Sequence, residues 1–243
     1  DQAVSRGLGD VYKRQVKPHQ KRQWCLTKID SNFIWNMENV LDVYERPYNP
    51  ENPVICFDER PCQLINDVLV PVPVQPGKPR REDYHYERKG TCVVLLAIEP
   101  LTGKRVVEVS ERKAKADYAR FMKKVVKAFS KARKITLVQD NLNTHNPSSF
   151  YENMKPQKAL ELSQRFEMVY TPKKASWLNM AEIEFSALSK QCLDRRIGNL
   201  GKMIKEVERW TSYRNKKKIK INWQFTNQKA RDKFSKQYQG VKN

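Results

Sequence analysis

Long apolar runs are missing from this chain. The longest, Val93–Ile98, is the size of a strand and far short of the roughly 18 apolar residues that a membrane-spanning helix needs. No stretch has the layout of a secretory signal peptide. Cysteine is scarce and scattered: Cys25, Cys56, Cys62, Cys92 and Cys192 form no CxxC pair and no Cys/His cluster at zinc spacing. This excludes a disulfide framework and a zinc-ribbon site. Cys56 and Cys92 sit in apolar strand-like runs and read as small core residues of a reducing compartment. Acidic residues are short as well, with 27 Asp plus Glu against 47 Lys plus Arg and a formal charge of +20. Such an excess repels itself in the folded state and is tolerated where a polyanion is the partner. Nucleic acid fits that role. An anionic membrane surface would also fit, but no basic amphipathic helix supports it.

What is present is enough for one sizeable domain with extensions, or two small ones: 243 residues, 39% of them hydrophobic. The hexapeptide Asp10–Gln15, DVYKRQ, looks like one reading frame of a sequencing-library adaptor. Residues 1–15 are therefore expected to be a non-native tail that packs against nothing, on a chain truncated at its N-terminus. Residues 16–50 read as a helical linker segment, 51–215 as the main folded domain, and 216–243 as a basic extension with Trp223 and Phe225 as anchors.

Apolar positions recur with helical period from Ser31 to Tyr44, and PYNPENP then breaks the chain. Val54–Asp58 (VICFD) reads as a buried strand ending in carboxylates. Val70–Arg81 carries four prolines and is expected to be irregular. Thr91–Ile98 and Arg105–Val109, joined by the PLTG turn, read as a hairpin. Lys115–Phe129 is an amphipathic helix and Ile135–Val138 a strand followed by Asp140. Pro156–Phe166 is helical and Glu167–Tyr170 a strand. Ser176–Arg195 and Asn199–Asn215 are helices. This order is that of a mixed α/β domain with one sheet. If the first and fourth strands lie side by side and parallel, their carboxyl ends share the edge where open α/β folds place sites.

Three acids mark that edge: Asp58, Asp140 and Glu182. Carboxylate oxygens suit Mg²⁺, and two such ions can serve phosphodiester cleavage. Each acid also has a plainer role, since Asp at a strand end often caps a turn and Glu on a helix is usually solvated. Helical periodicity places Glu182 and Glu184 on opposite flanks of the stripe Leu178, Ala181, Phe185 and Leu188, and by itself admits either.

The segments FDERP (57–61), VQDNLNTH (138–145), YTP (170–172) and SWLNMAEIEFSAL (176–188) together resemble the insertion-sequence-630 family of bacterial transposases, relatives of the mariner group. The resemblance runs from about Val16 to the C-terminus. It implies a ribonuclease-H-like α/β fold, a mixed five-stranded sheet with helices on both faces. Asp58, Asp140 and Glu182 become the catalytic, metal-holding acids, working with two Mg²⁺ ions or Mn²⁺ in their place. The implied reaction is hydrolysis at transposon ends and strand transfer of the 3′-hydroxyl into target DNA, typically at TA. The implied partners are DNA and a second copy of the chain, in the bacterial cytoplasm and nucleoid, with no membrane. A structure-specific nuclease of the same fold and an inactive DNA-binding remnant are the alternatives. Among accessory residues, His145 either contacts a scissile phosphate or is structural. Asn141 and Asn179 can orient the acids, and Glu59 stands behind them. Lys173 and Lys174 are placed to meet DNA phosphate. So are Lys78, Arg80 and Arg81, in a basic loop (78–89) that also carries Tyr84, His85 and Tyr86. Trp177 and Trp210 read as core.

Overall fold

The computed structural model describes residues 29–79 and 81–241. The expected 1–15 tail, the first part of the 16–50 segment, Cys25 and Arg80 lie outside them. The chain runs α1 (Ser31–Glu45), β1 (Val54–Asp67), β2 (Tyr86–Glu99), β3 (Lys104–Ser110), α2 (Lys115–Ala128), β4 (Ile135–Gln139), α3 (Ser148–Asn153), α4 (Pro156–Gln164) and β5 (Phe166–Tyr170). A 3₁₀ turn (Ser176–Leu178), α5 (Ala181–Leu188), a π turn (Ser189–Leu193), α6 (Leu200–Lys216), α7 (Asn227–Lys233) and α8 (Ser235–Val241) complete it.

The five strands form one sheet in the order β3-β2-β1-β4-β5. β1–β2 and β2–β3 are antiparallel, whereas β1–β4 and β4–β5 are parallel. This is the ribonuclease-H-like arrangement. Strand alternation divides the core in two. Cys56, Val94, Leu96, Ile98 and Val138 face α1, α5, α6 and the C-terminal helices. Ile55, Phe57, Val93, Leu95 and Leu137 face α2, α3 and α4. Helices therefore cover both faces. The four described cysteines are free, and Cys56 and Cys92 are buried.

Two expectations are corrected. VICFD does not end a strand, because β1 continues to Asp67. Its parallel pairing with β4 stops at Cys56–Val138, while its antiparallel pairing with β2 runs on. Asp58 thus sits where the sheet narrows rather than where the strand stops. Likewise Ser176–Arg195 is not one helix. Asn179 leaves helical geometry with ψ 117°, and α5 begins afresh at Ala181. The Lys78–Lys89 loop is shorter than expected, since Tyr86–Lys89 already belong to β2. Before it, the proline-rich stretch closes a small turn through the Val72–Arg81 and Gln75–Lys78 bridges, with Gly77 at φ 74°.

The segments at either end of the described chain pack together on the domain. Phe33, Met37, Val40 and Leu41 of α1 share a core with Ala230 and Phe234. Glu38 accepts from Arg231 and from the Tyr238 hydroxyl. The Trp223 ring meets Tyr44 edge-on at 5.3 Å. Trp210 is buried as expected, but Trp177 is 40% exposed and touches Phe225 edge-on.

Candidate active site

Adjacent strand residues face opposite sides of a sheet, and this splits the Asp58–Glu59 pair. Asp58 lies on the Cys56 side, toward Asn179 and α5. Its Oδ1 accepts from the Glu59 amide at 2.8 Å. The Asn179 side chain donates to the Phe57 carbonyl at 2.8 Å and reaches Asp58 Oδ2 at 3.4 Å. Asn179 Oδ1 in turn accepts from the Ala181 amide at 3.1 Å, so one buried amide ties the start of α5 to Asp58. The Tyr44 hydroxyl, donating to the Leu178 carbonyl at 3.0 Å, holds the same corner.

Glu59 faces the other way, into a buried network. Its carboxylate pairs with Lys113 and stands 3.2 Å from His145 Nε2. His145 Nδ1 is 2.5 Å from Asp140 Oδ1, which also accepts from the Leu142 amide at 3.1 Å. The imidazole lies flat against Tyr118 and edge-on to Phe57. With no exposed surface, His145 touches only protein, so the phosphate-contact alternative falls and the structural one stands. Asn141 donates to the Thr171 carbonyl at 2.5 Å, joining the loops after β4 and β5 rather than orienting an acid.

The electrostatics follow from this division. Burial, helped by the charges of Glu182 and Asp140, pushes the Asp58 carboxyl up to about 7 against the pull of the Glu59 amide and of His145. Burial would raise Asp140 and Glu59 too, but His145 beside both, with Lys113 on Glu59, brings them below the ordinary carboxylate range. Burial would lower His145, and Asp140 and Glu59 reverse that and raise it.

Glu182 is exposed on α5 and acts electrostatically on Asp58. Glu184 is buried on the opposite flank, held by Arg105 through two contacts at 2.8 and 2.9 Å and by Arg214 at 2.5 Å. Packing thus engages Glu184 in ion pairs and leaves Glu182 the exposed member of the pair. Sequence reasoning missed Lys113, Arg60 and this Arg–Glu–Arg cluster. Arg60 grips the Phe185 carbonyl and the Ser189 hydroxyl, locking the end of α5 to β1. The FDERP motif contained Arg60; nothing local signalled Lys113 or Arg105.

Lys173 and Lys174 are exposed in the loop leading to α5, with Lys174 at φ 63°. They line a cleft with Asn141, beside Asp140, and with Asn32, Phe33 and Asn36 of α1. Lys78 and Arg81 are exposed on the small turn after β1, far from the acids. Nine residues separate Asp58 from Asp67, about 30 Å of strand.

Among the described residues, no group of three or more His, Cys, Asp and Glu is arranged to hold a metal ion by itself. The donors on this edge nevertheless fit Mg²⁺, which takes one or two carboxylates and completes its shell with water and substrate phosphate. Asp58 and Asp140 are oxygen donors, and the Asp58 carboxyl is raised mainly by burial, with the charges of Glu182 and Asp140 adding to it.

Comparison with known proteins agrees with the geometry. Solved structures of Mos1 mariner transposase share the fold. Its strand transfer complex is 14% identical with a TM-score of 0.58, covering 97% of this chain and 69% of that one. Its paired-end complex with Mn is 14% identical with a TM-score of 0.56, covering 87% and 65%. Its isolated catalytic domain is 11% identical with a TM-score of 0.51, covering 81% and 96%. The chain thus spans about two thirds of the transposase chains in those complexes. No curated protein matches it. A family model described as DDE superfamily endonuclease matches residues 53–204, more than half of the chain and inclusive of all three acids, and the chain belongs to that family.

Proposed function

We propose that this chain is the catalytic part of a cut-and-paste DNA transposase, with Asp58, Asp140 and Glu182 as its catalytic acids. The observation that supports the reading is that Asp58 and Asp140 flank the point where the parallel β1–β4 pairing ends, while Glu182, in the first turn of α5, adds its charge to Asp58. These three would hold two Mg²⁺ ions, or Mn²⁺, whose chemistry is to activate an attacking oxygen and stabilise a leaving one. The relatives' paired-end complexes with Mg and with Mn support that choice of ion.

The chain's own residues do the positioning. Asn179 fixes Asp58, while the Glu59–His145 pair fixes Asp140 Oδ1 and leaves Oδ2 to the open side. Lys173 and Lys174 hold the DNA backbone beside the acids and read no sequence. Water attacks phosphorus at the transposon end, the bond to O3′ breaks, and O3′ leaves as a hydroxyl. That hydroxyl then attacks a target phosphodiester, at TA by the resemblance to the insertion-sequence-630 family; the target's own bond to O3′ breaks, and the proton lost by the attacking hydroxyl is balanced by the one the leaving O3′ takes up. Neither step forms a covalent bond to protein.

The divisions 1–15, 16–50, 51–215 and 216–243 are part of this reading. So is a homodimer in the active complex, in the bacterial cytoplasm and on its nucleoid. Exposed Leu69, Val70 and Val74 on the segment beyond β1 offer apolar surface for a second copy. No helix among the described residues is long and apolar enough to cross a membrane.

The test is nicking of a pre-cut transposon-end duplex in Mg²⁺ by wild type and Asp58→Asn, with DNA binding measured alongside. Cleavage should drop by several orders of magnitude while binding holds. Equal nicking by both would reduce Asp58 to a structural role. Wild-type cleavage without strand transfer would favour a structure-specific nuclease, and binding without cleavage an inactive remnant.

A further inference from the structure

Half of the excess charge lies in the last part of the chain. From residue 200 onward there are thirteen Lys and Arg against three Asp and Glu, a surplus of ten out of the chain's +20. Its densest run, Lys216–Lys220 (KKKIK), follows α6 and sits against the β2–β3 turn. That turn is at the end of the strands where β1 begins. Cys56 pairs with Ile98, so the turn after Glu99 lies beside the start of β1, roughly 13 Å of strand back from Asp58.

Lysines in the last turn of a helix can be explained by the helix dipole alone, and Lys216 needs no more than that. Lys217, Lys218 and Lys220 lie beyond it. Lys218 has φ 49°, the left-handed position after a helix that glycine usually fills. Its backbone is held there from several sides. The Asn215 side chain accepts from the Arg105 amide at 2.8 Å and donates to the Arg105 carbonyl at 3.0 Å. Arg105 Nη2 donates to the Ile219 carbonyl at 2.6 Å, and the Ile221 amide to the Pro100 carbonyl at 3.1 Å. Gly103, at φ 74°, lets the backbone approach so closely that a Cβ would stand 2.4 Å from the Ile219 oxygen. The loop is therefore rigid, whereas the side chains of Lys217, Lys218 and Lys220 are exposed and meet no acid among the described residues. Lys218 and Lys220 line a cleft of about 600 Å³ with Tyr48, Lys104 and Asn215.

We propose that this loop and cleft are a second DNA-binding surface, taking the phosphate backbone of a duplex segment other than the one at the acids. A preorganised row of unpaired ammonium groups beside tyrosine and asparagine donors suits phosphate oxygens and carries no base readout. Target DNA or a continuation of the transposon end would supply such a segment. The proposal needs DNA as partner but not the catalytic assignment.

The test measures duplex affinity against salt for the whole chain and for K217Q/K218G/K220Q. Glycine is favoured at φ 49°, so this variant should fold at least as well as wild type. A control, K123Q/K127Q/K131Q, loses the same charge from exposed lysines on and after α2. Each phosphate contact contributes about 0.9 to the slope of log affinity against log salt, so the loop variant should lose about 2.7 from it. That is a loss of about 40-fold in the sensitivity to raising salt from 50 to 200 mM. The control should lose less than one contact's share. Equal slopes for the two variants, or an unchanged slope for the loop variant, overturn the proposal. So does a loop variant that keeps its duplex slope and loses affinity only for single-stranded RNA. Because binding is read without cleavage, a catalytically inert chain leaves this result intact.

Discussion

Glu182 and Glu184 stand two residues apart on one short helix and meet opposite surroundings. Glu182 is exposed and adds negative charge to Asp58. Glu184 is buried and shared by two arginines, Arg105 from β3 and Arg214 from α6. The same side chain is uncompensated on one flank of α5 and overcompensated on the other. A carboxylate without cations beside it is open to a metal and to substrate; one clasped by two guanidinium groups is closed to both. The comparison also explains how so short a helix keeps its orientation. α5 has a 3₁₀ turn before it and a π turn after it, so its rotation is set from outside, by Glu184, Arg60 and Asn179.

The contrast can be broken by exchanging the two losses. Glu182→Gln should reduce metal-dependent cleavage by several orders of magnitude and leave the melting temperature within about a degree, because an exposed side chain costs little when neutralised. Single-turnover nicking and calorimetry on the same preparation check this, and a near-normal rate would remove Glu182 from the acids. Glu184→Ala should do the reverse. It strands two buried arginines, a loss of about 3–5 kcal/mol of stability by urea unfolding. A change below 1 kcal/mol would mean that the cluster is not the pin described here.

A smaller effect comes from Asp58, whose folded-state carboxyl is raised to about 7. A raised carboxyl favours folding while it is protonated, so its contribution is complete below the unfolded value near 4 and is lost as pH rises through 7. The metal-free protein should therefore become less stable between pH 4 and 8, by a few kcal/mol at most from this group. Asp58→Asn should flatten that decline. A parallel pH profile for wild type and variant would show that Asp58 is not the group responsible. Smallest is the effect of His145. His145→Gln removes the charge behind Asp140 without emptying the site and should cost cleavage about 10–100-fold, as losses behind a metal ligand usually do. Measured at saturating Mg²⁺, an unchanged rate would reduce His145 to packing.

Much of this was legible in the residues. Short apolar runs located all five strands, because the sheet is buried on both faces, and the 3.6 period located most helices, because each buries one face. Boundaries were less legible where the pattern was not local. The second half of β1 buries only Leu64 fully among mostly polar residues, too little to betray a strand, and its pairing with β2 is what makes it one. The break at Asn179 was also hidden, since Leu178, Ala181, Phe185 and Leu188 are all buried and keep helical spacing across it. Of the site, Asp58 and Asp140 stood out because an acid directly after an apolar run is unusual. Lys113 did not, because a lysine among charged residues carries no such mark.

By itself, then, the sequence determined the composition of the two core faces, the order of the elements, and a polyanion as the partner that a +20 chain calls for. Alternation along β1 also obliged Asp58 and Glu59 to face opposite sides. Which glutamate of α5 meets Asp58, whether His145 is free to touch substrate, and where the basic tail comes to rest were decided only in three dimensions. Each depends on a partner more than twenty residues away: Arg105 for Glu184, Glu59 for His145, Gly103 for the loop at Ile219. Local periodicity reports which face of an element is buried and carries no record of the charge that buries it.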